Sequence, residues 1–207
     1  MKPLVLLGVI IIALLTGCTY NGKLHSGFYS PASTGSKTPL QVDLVCGDFL
    51  KSIVLDPGHI YGAYVVHLKT DPALQEALVK SCESLFDKVR VTSAPDTNAD
   101  IVILPALELK EHTITLTLTA KSAVTGDVIQ QYSASTNFEC RAPAGVHAAD
   151  TIDIFACGGL APIIVPANTS MIGHSAEDAL GKCLAFCLGQ IAENVRNDTS
   201  LASKSSK

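Results

Sequence analysis

The chain has no tryptophan and only eleven aromatic side chains in 207 residues. Stacking platforms for sugars or bases are therefore excluded as its main binding device. Charge is sparse too. Charged residues make up 16% of the chain, and 15 Lys and Arg stand against 19 Asp and Glu, for a net charge of −4. A nucleic-acid binder needs a basic face, so that class is excluded as well. No G-x-S-x-G, P-loop or H-E-x-x-H pattern is present, which removes the common hydrolase, nucleotide and zinc-protease signatures. Disorder over the whole length is excluded from the other side, because 47% of residues are hydrophobic and mean hydropathy is +0.33.

What is present begins at the N-terminus. Met1 and Lys2 form a short positive region, followed by a twelve-residue apolar stretch, Leu4 to Leu15. A membrane-crossing helix needs ~20 apolar residues, so this stretch reads as a secretory signal and not as a span. Leu15-Thr16-Gly17-Cys18 resembles a bacterial lipobox. In that pattern small residues admit the peptidase and the cysteine thiol takes the diacylglycerol. The resemblance implies a covalent lipid on Cys18, two or three acyl chains for stable anchoring, and no other cofactor. Lipoproteins with Asp after the cysteine tend to stay at the inner membrane. Thr19 stands there instead, which implies the outer membrane, with the domain facing the periplasm.

The expected organisation has four parts: a signal peptide over 1–17, a lipid anchor and flexible tether over 18–41, a periplasmic domain over 42–197, and a polar tail over 198–207. The tether is rich in Gly, Ser, Thr and Pro, and as a flexible chain it would span ~25 Å. About 45% of the residues beyond the signal are apolar, which is normal for one globular domain.

Within that domain, Val42 to Cys46, Lys51 to Leu55 and Ala63 to Leu68 read as short strands. Asp71 is expected to cap a helix with Pro72 in its first position, and Leu74, Leu78, Cys82, Leu85 and Phe86 follow at helical spacing. Lys88 to Thr92 alternates as a strand. Ile101 to Leu104 reads as a central strand, with an edge or bulge at Pro105, which cannot donate to a ladder. Thr113 to Thr119 alternates threonine with Ile and Leu, one face wet and one buried. Thr125-Gly126-Asp127 turns the chain into a hairpin with Val128 to Ser135. Residues 137–173 read as mostly irregular, and 174–196 as an amphipathic helix with Ser175 and Asp178 resembling a capping box. The expected fold is α+β: a two-layer sandwich of a mixed or antiparallel sheet of four to five strands, with two helices packed on one face.

Ala99-Asp100-Ile101-Val102, the strand–turn–strand from Leu116 to Ile129, and the small-residue helix from Ala176 to Val195 carry a further resemblance. Together they look like the periplasmic domain of curli-secretion-channel lipoproteins, the amino-terminal part of TolB-like proteins, and transport-auxiliary or assembly lipoproteins of the outer membrane. The resemblance covers about residues 60–197. Channel members insert transmembrane hairpins of ~10-residue alternating strands. Ile152 to Pro166 does not alternate and is broken by Gly158-Gly159 and Pro162, so it departs from that pattern.

Six histidines, at positions 25, 59, 67, 112, 147 and 174, are scattered. None lies three or four residues from another or from a cysteine, so spacing offers no zinc set and no metal is expected. His67 reads as a half-buried packing residue, and Asp150 with Asp153 as a solvated loop edge. Six cysteines remain beyond Cys18. Cys140 and Cys157 border the irregular segment and are the expected disulfide; closing a loop of about sixteen residues constrains the unfolded state by ~3 kcal/mol. Cys46, Cys82, Cys183 and Cys187 stay open between bridges and small buried hydrophobes. Phe155, Leu160, Ile163 and Ile164 either tuck under the sheet or form a partner patch.

The expected function is a non-enzymatic outer-membrane lipoprotein, a periplasmic adaptor or assembly factor of an envelope transport or secretion machine. Its expected partners are the membrane, through the lipid, and unidentified envelope proteins, with self-association compatible. The alternatives are a pore-forming secretion-channel subunit and an envelope-acting enzyme.

Overall fold

The computed structural model describes residues 19–32, 35–47, 52–55, 65–94, 98–140, 161–198 and 201, with backbone alone over 161–169. The element order is β1 (Thr19–Lys23), β2 (Thr38–Val45), β3 (Ser52–Leu55), β4 (Val65–Lys69), α1 (Ala73–Leu85), β5 (Phe86–Thr92), β6 (Ile101–Lys110), β7 (Thr113–Ser122), β8 (Val128–Asn137) and α2 (Ala161–Asn197). The larger sheet runs β5-β2-β6-β7-β8, and a smaller one runs β1-β4-β3. Both are mixed. β2 is parallel to β5 and β6, while β6, β7 and β8 pair antiparallel; β1 is parallel to β4, and β3 antiparallel to it. The α+β expectation holds, with a second small sheet added to it.

The threonine alternation does what its period dictates. Ile114, Leu116, Leu118 and Ala120 of β7 are buried and the threonines between them are half-buried. On the other face, Thr115 Oγ1 lies 2.9 Å from Ser135 Oγ and Thr117 Oγ1 3.1 Å from Ser133 Oγ. Gly126 turns the hairpin at φ +76°, a left-handed conformation that suits a residue without Cβ. Pro105 also sits as expected. It pairs with Leu118 on one side, and the parallel register with β2 ends at Ile103, so its missing N–H falls on a free edge.

The helices cover the apolar face. In α1, Leu74, Leu78, Cys82 and Leu85 are buried, and Phe86 continues the same core from the start of β5. In α2, Leu180, Cys183, Leu184, Cys187, Leu188, Ile191 and Val195 form the buried stripe, which packs along β7 and β8 and on to β1.

Five expectations need correction. The segment expected as a flexible tether holds a strand, β1, Thr19–Lys23. β1 pairs with β4, the Leu24 N–H donates to the Lys69 carbonyl at 2.8 Å, and Leu24 and Tyr29 are buried. Sparse aromatics in a Gly-rich segment have no period of their own; they are ordered by a groove made elsewhere in the chain. α2 begins at Ala161, thirteen residues before the expected start. Pro162 falls in the first turn, where its missing N–H costs nothing, and Pro166 removes only the bond to the Pro162 carbonyl. Ser175 is therefore interior and caps nothing. At α1, Pro72 occupies the N-cap position after a cis peptide and no side chain caps the helix; the Leu74 N–H donates to the Thr70 carbonyl. His67 is exposed on β4. Finally, the tail is docked where it starts. Tyr132 Oη donates to Asp198 Oδ2 at 2.8 Å, and Leu201 joins the core.

Candidate functional site

β1 and α2 meet around a buried carboxylate. Glu177 is 4% exposed, on the sheet-facing side of α2. Its Oε1 accepts from Tyr20 Oη at 3.0 Å and from the Lys23 amide at 3.1 Å. Its Oε2 lies 3.0 Å from His174 Nδ1, one helical turn back, and 3.3 Å from His25 Nε2, just past β1. The Tyr20 ring meets the His174 ring edge-on at 5.8 Å between centroids.

Two glycines make the space. A Cβ on Gly22 would collide with Glu177 Oε1 and the Tyr20 ring, and a Cβ on Gly173 would collide with the same ring. The strand and the helix can approach closely only because both positions lack a side chain. Both histidines are open to solvent, at 64% and 63% side-chain exposure, while the Glu177 side chain is at 3%. An open cleft of about 340 Å³ runs beside the cluster, between Leu24, His25 and Phe28 on one side and Glu177, Gly181 and Ala185 on the other.

The electrostatics follow from this arrangement. Burial alone pushes the Glu177 carboxyl up, but the bonds from His174, Tyr20 and the Lys23 amide, with the charge of His174, outweigh it and the net direction is down. Tyr20 is pushed up to about 12, first by burial and then by its bond to and the charge of Glu177. The tyrosine therefore keeps its proton and stays a hydrogen-bond donor throughout the physiological range. The carboxylate is anionic and pinned at one oxygen, with the other turned to two imidazoles. His25, His174 and Glu177 place one ligand atom each within 4.8 Å of one another.

Spacing along the sequence does not reveal this cluster, because His25 and His174 lie 149 residues apart in the chain. The signal that was available is His174-x-x-Glu177, since residues three apart share a helix face.

The sequence-derived candidates fall elsewhere. Cys18, Phe155, Cys157 and Leu160 lie outside the described residues, and with them the lipidation site and one end of the expected Cys140–Cys157 bridge. Ile163 and Ile164 lie in the first turn of α2. The Cys140 thiol is free and bonds to Ser175. Cys46, Cys82, Cys183 and Cys187 are free too, and the last three are buried among apolar side chains. Burial, with lesser contributions from neighbouring charges, pushes Cys82 up to about 12. Burial likewise raises Cys187 to about 11. These thiols are packing residues and not nucleophiles.

No described helix is long and apolar enough to cross a membrane. No family model and no curated protein matches the sequence. Among solved structures, the crystal structure of protein XCC0632 from Xanthomonas campestris, a DUF330 protein, matches at 10% identity and a TM-score of 0.46. The match covers 85% of this chain and 96% of that one.

Proposed function

We propose that this chain is an outer-membrane lipoprotein working as a non-enzymatic periplasmic adaptor or assembly factor of an envelope transport or secretion machine. The observation that carries the reading is the pairing of β1 with β4 directly after the lipobox cysteine. β1 starts at Thr19, the residue after the lipobox cysteine. One residue of extended chain reaches at most ~3.6 Å. A lipid on Cys18 would therefore hold the folded domain against the bilayer, with no tether to let it search the periplasm. A protein held this way acts by gathering partners at the membrane surface. The hydroxyl-lined side of β7 and β8, opposite the helices, offers such partners a hydrogen-bonding face.

The test combines fractionation with crosslinking. The native protein should sediment with outer membranes, and Cys18→Ala should release it or leave it as unprocessed precursor. Crosslinking in intact envelopes should trap the native protein with the same few envelope proteins in every preparation, and Cys18→Ala should lose them. Membrane retention of Cys18→Ala would overturn the anchor, and recovery of the native protein uncrosslinked would overturn the adaptor role.

A further inference from the structure

We infer that His25, His174 and Glu177 form a binding site for a divalent cation of the zinc class, which clasps the N-terminal strand to the C-terminal helix. The inference goes beyond the adaptor reading and does not depend on it. Two imidazoles and one carboxylate suit zinc and its first-row neighbours, and suit calcium or magnesium poorly, because those ions prefer all-oxygen shells.

The geometry points the same way. A four-coordinate zinc ion with bonds of about 2.0–2.1 Å holds its ligand atoms roughly 3.3 Å apart. Glu177 Oε2 is 3.3 Å from His25 Nε2 and 3.0 Å from His174 Nδ1. Two edges of the coordination tetrahedron are thus already set. The third, between the two imidazoles, lies within 4.8 Å and closes by rotation of the exposed His25 ring.

The carboxylate is also supported as metal-binding carboxylates are. Its second oxygen is held by Tyr20 Oη and the Lys23 amide, which fixes the direction in which Oε2 points. Both imidazoles face solvent, so an ion has a path in and water can fill the fourth position. Ligands come from the segment after β1 and from α2, two parts of the chain 149 residues apart, so the ion would hold the N-terminal strand to the C-terminal helix.

The experiment uses the full chain in detergent, stripped with EDTA and freed of chelator. Zinc chloride is titrated by calorimetry, and cobalt chloride is followed by visible absorption. One zinc per chain should bind, with the intense visible bands of four-coordinate cobalt and no thiolate charge transfer. His25→Ala, His174→Ala and Glu177→Gln should each weaken binding at least roughly tenfold, while His67→Ala and prior thiol alkylation should leave it unchanged. The two histidines are exposed, so their variants should fold, with circular dichroism as the check. Zinc should also slow amide exchange over residues 19–25. Absence of saturable uptake, uptake indifferent to the His25 and His174 variants, or uptake abolished by alkylation would overturn the site. In those cases the cluster is a hydrogen-bonded ion pair, or the cysteines bind the metal.

Discussion

Replacing Glu177 should separate a carboxylate that holds two elements together from one that is merely buried. Glu177→Ala leaves the Lys23 amide and Tyr20 Oη without their acceptor. A stranded buried donor costs about 1–3 kcal/mol. Both donors are only part-buried, so the lower end applies to each. The exposed histidines lose a partner worth about 0–1 kcal/mol. Against this stands relief from keeping a carboxylate out of water. The expected net loss is about 2–3 kcal/mol. Glu177→Gln keeps a carbonyl oxygen for both donors and presents an NH₂ to the imidazoles, so only the charge assistance is lost, about 1 kcal/mol. The assay is urea unfolding of a soluble protein starting at position 18 with Cys18→Ser, with EDTA present so that metal contributes nothing. The pH dependence supplies a second check. The folded carboxyl lies below its unfolded value, which is about 4.3. Its contribution is therefore complete above that value and is lost as pH falls through the folded pKa. The gap between native and Glu177→Gln protein should be full at neutral pH and close in acid. Equal stability of the Ala and Gln variants, or an Ala variant more stable than the native protein, would refute the reasoning.

The other predictions use neighbouring features. Gly22→Ala should cost about 1–3 kcal/mol by overpacking against Tyr20 and Glu177. Gly189→Ala, on the open side of α2 with nothing within 4 Å, should stabilise by about 0.5–1 kcal/mol; both are read from urea midpoints. Leu116→Ala, at the fully buried centre of β7, should lose about 2–5 kcal/mol in the same measurement. Cys82 and Cys187 should resist iodoacetamide in the native protein and react once it is denatured, since they are buried with thiols pushed up to about 12 and about 11; peptide mapping reads this directly.

Local periodicity by itself determined the elements that build the larger sheet and its cover. The Thr113 to Thr119 alternation, the Gly126 turn and the stripe from Leu180 to Val195 each carry their pattern within a few residues. Burial of one face is enough to select strand or helix at such places. Pro105 marked a free edge because a missing N–H is a local fact. Three features were decided only by tertiary structure. Residues 19–29 became a strand and a loop anchored by the buried Leu24 and Tyr29 because β4 and α2 supply the partners, while their own composition favours a flexible chain. α2 ran back through Pro162 and Pro166 against the breaker reading, because a proline near a helix start removes at most one bond. The cluster of Tyr20, His25, His174 and Glu177 exists because two glycines let β1 approach α2. Such closeness depends on the path of the chain between them, and spacing along the sequence does not encode it.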